Sequence, residues 1–162
     1  MAVAAAAAAE AGRLLLKAFG RPPRVRSKGR ADIGTASDTA SERLIRRRLT
    51  AAFPGIPVLG EEGGGPSDFI GLPRLWVIDP LDGTVNFAHS NPVFSVSIAL
   101  VEKGRPEAGA VHDPTRGETF RAARGRGTWL GPRRLKVSTR RNLMKSLLST
   151  GFSYQRGEAL DR

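Results

Sequence analysis

The clearest candidates for chemistry in this sequence are two aspartates that lie three residues apart. They stand in the segment WVIDPLDGTVNF, residues 76–87, where an apolar stretch ends at Asp79 and Pro80 forces a turn. Asp82 and Gly83 follow where a new helix can begin, and backbone N–H groups at a helix start favour phosphate. Carboxylates beside a phosphate repel it unless a divalent cation such as Mg²⁺ lies between them. The spacing predicts a metal and phosphate site; the structural alternative makes Asp79 a turn former and Asp82 a helix N-cap.

Two further acidic elements precede this segment. Residues 60–63 read Gly-Glu-Glu-Gly and directly follow a short apolar stretch, which places Glu61 and Glu62 at the end of a predicted strand. Asp38 stands at the start of a predicted amphipathic helix, where its structural alternative is an N-cap. Together with residues 76–87, these elements favour a hard cation held by oxygen ligands.

In order and spacing, these segments resemble the inositol monophosphatase family of magnesium-dependent, lithium-sensitive phosphatases. The resemblance extends from about Ala11 to Tyr154. The matching motifs are Asp32 with Thr35-Ala36-Ser37-Asp38, then Gly60-Glu61-Glu62, then Asp79-Pro80-Leu81-Asp82-Gly83-Thr84-Val85-Asn86-Phe87. Segments 94–100 and 109–114 are also similar to the family. The long motif in company with the Gly-Glu-Glu is specific enough to make a chance match improbable.

The resemblance implies a Mg²⁺ site made of carboxylates and one backbone carbonyl. The implied metal ligands are Glu61, Asp79, Asp82 and the carbonyl oxygen of Leu81, which would ligate the metal shared by Glu61 and Asp79. Mg²⁺ is therefore the expected cofactor.

The resemblance also implies a phosphate cradle and a group that positions water. Gly83 and Thr84 would bind phosphate through their backbone N–H groups. The hydroxyl group of Thr84, oriented by Asp38, would help Glu61 to position the attacking water. Glu61, Thr84 and Asp38 are thus the expected catalytic residues.

The implied reaction is hydrolysis of a small phosphate monoester, similar to inositol 1-phosphate, by metal-activated water. No protein nucleophile is needed, which agrees with a sequence that has no cysteine and only two histidines. Histidinol phosphate or a nucleotide-type phosphate remains an alternative substrate within the same superfamily. A small phosphorylated molecule is the expected partner, and a membrane is not expected.

Family members are longer than this sequence, with a second α/β domain that supplies a Trp-Asp motif and most substrate contacts. Here Trp76 precedes Val77 and Trp129 precedes Leu130, so the printed sequence contains no Trp-Asp pair. We therefore expect residues 1–162 to form the N-terminal metal-binding domain, truncated before the C-terminal domain, with weak or absent activity. Apolar surface left uncovered is expected to drive association into a homo-oligomer.

Charge is distributed unevenly along the chain. Net charge is +7 over residues 1–60, −5 over residues 61–113 and +9 over residues 114–162. The basic ends motivate one non-catalytic alternative, a basic binding module on a phosphatase scaffold, although nucleic acid is not an expected partner. Arg46–Arg48 is interpreted as a solvated helix face. The alanine-rich start has no basic residue before Arg13, which favours the first helix of a cytoplasmic protein over a secretory signal.

Helices followed by a run of strands predict an α+β fold, with helices packed on an antiparallel sheet. The resemblance implies the N-terminal half of the family's layered α-β-α-β-α fold. Helices are predicted from residue 1 to 19, from about 37 to 53, and after Asp82. The predicted strands are Ile56–Leu59, Leu75–Ile78, Phe94–Val101, Glu107–Val111, Glu118–Ala122, Gly125–Trp129, Leu135–Val137 and Ser146–Thr150.

Overall fold

The computed structural model describes residues 1–21, 25–27 and 33–149. Two long helices, α1 (Ala2–Ala18) and α2 (Ala36–Ala52), and the short α3 (Thr84–Ala88) confirm the predicted helices. Alanine is the strongest helix former, which accounts for α1, and apolar residues at helical spacing account for α2. None of the helices described is long and apolar enough to cross a membrane.

Nine strands accompany the helices within the described residues. They are β1 (Val25–Ser27), β2 (Ile33–Thr35), β3 (Val58–Gly60), β4 (Arg74–Asp82), β5 (Ser95–Glu102), β6 (Arg105–Asp113), β7 (Glu118–Ala123), β8 (Gly127–Leu130) and β9 (Arg133–Leu135). β1 and β2 form an antiparallel pair. The other strands form one seven-stranded sheet in sequence order from β3 to β9. Only β3 and β4 pair in parallel, so the fold is α+β with helices on a mostly antiparallel sheet, as predicted.

The core lies between the two long helices and one face of the sheet. Leu15 of α1 and Ile45 and Leu49 of α2 are fully buried, against Val96 and Ile98 of β5. Side chains alternate between the faces of a strand, so Val77, Val111 and Phe120 lie on the opposite face, each more than a third exposed.

Pro80 does not end the fourth strand, contrary to the sequence-based expectation. β4 continues to Asp82 through a β-bulge, in which Asp79 lies opposite Ser97 while Asp82 lies opposite Ser95. A bulge leaves residues without ladder bonds, which suits a residue that has no N–H group. The bulge therefore bends the strand between the two aspartates without interrupting it.

The end of the described chain also differs from the prediction. β9 ends at Leu135 rather than extending to Val137. Residues 146–149 form no strand and follow a 3₁₀ turn at Leu143–Lys145; Thr150 lies outside the described residues.

Candidate active site

The parallel pairing of β3 and β4 brings the two acidic segments to the same edge of the sheet. Gly60 at the end of β3 pairs with Ile78 of β4, so Glu61 follows at the level of Asp79. Asp79 has its pKa raised from 3.8 to about 6, first by burial and then by the negative charges of Glu61 and Asp82. Asp38 adds a weaker contribution of the same sign. The four carboxylates predicted from sequence are thus close enough to interact electrostatically.

The bulge holds the two aspartates of the motif through local hydrogen bonds. Asp79 Oδ1 accepts a hydrogen bond from the N–H group of Leu81 at 3.1 Å. Asp82 Oδ2 accepts one from the hydroxyl group of Ser95 at 3.2 Å. Both carboxylates are therefore held beside the bulge by neighbouring donors.

The donor set suits Mg²⁺ in its chemistry. Carboxylate and carbonyl oxygens are the ligands that this cation takes, and a divalent cation relieves the repulsion that raises the pKa of Asp79. Among the described residues, no group of three or more acidic or histidine side chains is arranged so that it could hold a metal ion.

Thr84 connects the motif to the second long helix. Its hydroxyl group lies 3.1 Å from Oδ1 of Asp38 and 2.9 Å from the carbonyl oxygen of Leu81. Asp38 is 2% exposed and belongs to the first turn of α2. The hydrogen bond expected between Thr84 and Asp38 is therefore present.

Gly83 precedes α3 with a φ of 89°. A side chain there would be strained, and its Cβ would lie 2.9 Å from the carbonyl oxygen of Val93. The motif therefore requires glycine at this position, and Gly83 rather than Asp82 is the N-cap of α3.

Two buried polar residues of α2 were not identified from sequence. Ser41 is fully buried and donates a hydrogen bond to the carbonyl oxygen of Pro80 at 2.8 Å. Glu42 is 3% exposed and accepts hydrogen bonds from the backbone N–H groups of Glu62 and Gly63. Their spacing of three and four residues from Asp38 puts all three on one helix face, and that pattern was the available signal.

Arg46 departs from the interpretation of Arg46–Arg48 as a solvated face, whereas Arg47 and Arg48 are exposed as expected. Its guanidinium group donates to Glu42 at 2.7 Å, to the carbonyl oxygen of Val58 at 2.8 Å and to that of Gly64. Its side chain is 29% exposed. Arg48 forms an ion pair with Glu10 of α1. Sequence spacing alone could not distinguish an arginine reaching back over the β3 end from one pointing into water.

Asp32, which carries part of the family resemblance, lies outside the described residues. The other residues singled out from sequence are Asp38, Glu61, Asp79, Leu81, Asp82, Gly83 and Thr84. They lie on the first turn of α2, the turn after β3, and the segment from the end of β4 to the start of α3.

Known proteins resemble this chain along its length. An inositol-1-monophosphatase from Synechocystis is 42% identical over 160 residues, which are 98% of this chain and 55% of that protein. Nus factor SuhB from Pseudomonas aeruginosa is 46% identical over 158 residues, which are 94% of this chain and 58% of that protein. The solved inositol monophosphatase from Anabaena (Nostoc) is 39% identical with a TM-score of 0.81, covering 95% of this chain and 55% of that structure.

The chain spans a little over half the length of these relatives. The model of the inositol monophosphatase family matches residues 1–162. The mostly antiparallel sheet agrees with that match. The chain therefore belongs to the inositol monophosphatase family.

Proposed function

We propose that this chain carries the Mg²⁺ and phosphate centre of a cytoplasmic phosphomonoesterase that acts on a small phosphorylated molecule similar to inositol 1-phosphate. The observation that supports this most directly is the parallel pairing of β3 and β4, which brings Glu61 level with Asp79 beside the Gly83 turn. Family membership supports a phosphatase-type function. The substrate and the reaction of the whole protein are part of the proposal.

Glu61, Asp79, Asp82 and the carbonyl oxygen of Leu81 would hold the metal. When bound, Mg²⁺ supplies positive charge for the phosphate oxygens and makes a coordinated water more acidic. Because Asp79 is half-buried, its carboxylate gains from a cation more than a fully solvated one would. A bound cation would therefore compensate the negative charge of the carboxylates and remove their repulsion of the phosphate.

Asp38 and Thr84 would direct the attacking water. The Thr84 hydroxyl hydrogen is directed to Asp38 or to the Leu81 carbonyl, which leaves a lone pair on its oxygen to accept a hydrogen from water. Glu61 would accept the second hydrogen. The backbone N–H groups of Gly83 and Thr84 would hold the phosphate for in-line attack.

We expect slow turnover from residues 1–162 alone. The family resemblance implies a further aspartate in a Trp-Asp motif for the second metal, and the printed sequence has no such pair. Loss of one ligand from a shared site weakens the second metal and the charge stabilisation that it supplies.

Release of inorganic phosphate tests the proposal. The substrates are inositol 1-phosphate, histidinol phosphate and a nucleoside monophosphate, each with and without Mg²⁺. Slow, Mg²⁺-dependent release that Asp79→Asn abolishes and Asp68→Asn leaves unchanged is the expected result, since Asp68 lies on an exposed loop. The preferred substrate decides between the inositol phosphate and its two alternatives. Release that is equal with and without Mg²⁺, or equal in the Asp79→Asn protein, contradicts the proposal.

A second candidate is a basic binding module with no catalytic role. One relative that is 46% identical over nearly the whole chain is named a Nus factor rather than a phosphatase. Residues 114–162 also carry a net charge of +9. This candidate predicts nucleic-acid binding that weakens steeply with added salt and survives Asp79→Asn.

A further inference from the structure

One turn of α2 carries three buried polar side chains, and each contacts a different part of the candidate active site. Asp38 accepts from the hydroxyl group of Thr84, and Ser41 donates to the carbonyl oxygen of Pro80. Glu42 accepts from the backbone of the Gly-Glu-Glu-Gly turn. The first two contacts hold the β4 bulge and the start of α3, whereas the third holds the segment that bears Glu61.

We propose that Glu42 is a positioning residue for Glu61: its buried carboxylate fixes the turn at residues 60–64 and so sets the distance of Glu61 from Asp79. This inference rests on the proposed function, in which Glu61 and Asp79 share a Mg²⁺ ion. Glu42 touches neither metal nor substrate and acts only through the backbone of the turn.

The hydrogen bonds of Glu42 occupy both of its carboxylate oxygens. Oε2 accepts from the N–H group of Glu62 at 2.7 Å. Oε1 accepts from the N–H group of Gly63 at 2.8 Å and from Nε of Arg46 at 2.7 Å. Bonds to a charged acceptor are about twice as strong as neutral ones, and this acceptor is 3% exposed. The turn is therefore fixed at two consecutive N–H groups directly after Glu61.

Arg46 completes the arrangement from the other side. The guanidinium group neutralises Glu42 and also donates to the carbonyl oxygens of Val58, in β3, and of Gly64. The N–H group of Gly60 donates to the carbonyl oxygen of Gly64 at 3.0 Å, which closes the turn. Both ends of the turn and its centre are thus connected to α2.

The glycines of the Gly-Glu-Glu-Gly motif follow from this packing. A Cβ at Gly60 would lie 2.6 Å from the Glu42 carboxyl carbon, and a Cβ at Gly63 would lie 2.6 Å from Oε1. Neither position has room for a side chain while the buried carboxylate is in place. The two glycines that flank Glu61 and Glu62 therefore leave the space that the Glu42 carboxylate occupies.

Glu42→Gln is the most specific substitution for testing this role because it preserves the shape of the side chain. An amide has a single oxygen, so its NH₂ group must face a donor: either Glu62 N–H or the pair formed by Gly63 N–H and Arg46. We expect the turn to loosen and Mg²⁺ affinity to fall by about tenfold or more, the size of effect typical of groups that orient metal ligands. Glu10→Gln is the matched control, since it removes the other Glu–Arg pair of α2, with Arg48, away from the site.

Two measurements on the full 162-residue chain test the proposal. Calorimetric titration with MgCl₂ compares the wild type, Glu61→Gln, Glu42→Gln and Glu10→Gln. Amide hydrogen exchange in metal-free protein compares the N–H groups of Glu62 and Gly63 with that of Trp76, which donates to the carbonyl oxygen of Pro57 at 2.9 Å. The expected result for Glu42→Gln is weakened Mg²⁺ binding and selectively faster exchange at Glu62 and Gly63, with Trp76 and the Glu10→Gln protein unchanged.

The outcomes separate the inference from the function on which it rests. If Glu61→Gln weakens Mg²⁺ binding but Glu42→Gln binds as the wild type does, the positioning role is overturned and the proposed function stands. If the wild type binds no Mg²⁺, both are overturned. Should Glu42→Gln fail to fold, Arg46→Lys replaces it, because the charge remains while the planar donor group is lost. Unchanged Mg²⁺ affinity and unchanged exchange at Gly63 in that variant overturn the inference.

Discussion

The hydroxyl oxygen of Thr84 lies 3.1 Å from Oδ1 of Asp38, although 46 residues separate them in sequence. This bond connects the first turn of α2 to the start of α3. Together with the bond from Ser41 to Pro80 and the contacts of Glu42, it makes one helix face the common support of both acidic segments. The site is therefore held by a buried polar surface of α2 in addition to the local hydrogen bonds of the bulge.

Removal of the Thr84 hydroxyl group is expected to destabilise the fold. Thr84→Val keeps the shape of the side chain but takes a donor away from the buried Asp38 carboxylate, at a cost of about 1 kcal/mol. Thr84→Ser keeps the hydroxyl group and is expected to lose less. Urea unfolding in metal-free buffer measures both, and a serine variant that is no more stable than the valine variant contradicts the role given to this bond.

Asp79→Asn is expected to stabilise the metal-free protein at pH 7.5. The pKa of Asp79 is raised from 3.8 to about 6, so its contribution to stability is complete below pH 3.8 and is lost as the pH rises through 6. The shift corresponds to at most about 3 kcal/mol, and we expect about 1 kcal/mol after solvent screening of this partly exposed group. The advantage of the variant should shrink as the pH falls towards 4. A variant that is less stable than the wild type at pH 7.5 would falsify this reading.

The contribution of His112 to the free energy of unfolding is expected to depend on pH. Burial lowers the pKa of this histidine, so its contribution is present above pH 6.5 and is lost as the pH falls through the lowered value. His112→Gln should therefore lose less stability than the wild type between pH 7 and pH 5. His89→Gln is the control, because His89 is exposed. Parallel pH dependence in all three proteins would rule out this contribution.

Gly12→Ala is expected to destabilise the packing of α1 on β6. Alanine favours a helix over glycine by about 1 kcal/mol, but its Cβ would lie 2.4 Å from Cδ2 of His112. Overpacking of this kind costs about 1–3 kcal/mol, so a net loss is expected. Gly71→Ala is the control, since no atom lies within 4 Å of its Cβ position. Equal melting temperatures for Gly12→Ala and the wild type would contradict the net loss, because the cost of overpacking would then be no larger than the gain in helix propensity.

Sequence patterns predicted the elements better than the contacts between them. Leu44, Ile45 and Leu49 indicated the buried face of α2 because helical spacing is a local property, and two of these residues are fully buried. Pro80 was misleading because a missing N–H group ends a regular ladder but is tolerated in a bulge. The bulge depends on register with β5, which no local pattern contains.

The candidate site was predicted from its motif, but the residues of α2 that hold it in place were not. Spacing and family resemblance indicated Glu61, Asp79 and Thr84. The spacing of Glu42 from Asp38 indicated a shared helix face, but it did not indicate which segment Glu42 and Arg46 contact. Their roles depend on where β3 ends in space, which is set by parallel pairing with β4.

Calorimetric titration of the 162-residue chain with MgCl₂, beside the Asp79→Asn variant, tests the central claim most directly. We predict saturable binding to the wild type that is lost in the variant, because Asp79 lies level with Glu61 at the edge of the sheet and would share the ion with it. Absence of binding to both proteins would contradict the account and favour the basic binding module. Equal binding to both would place the metal away from Asp79 and contradict the assigned site.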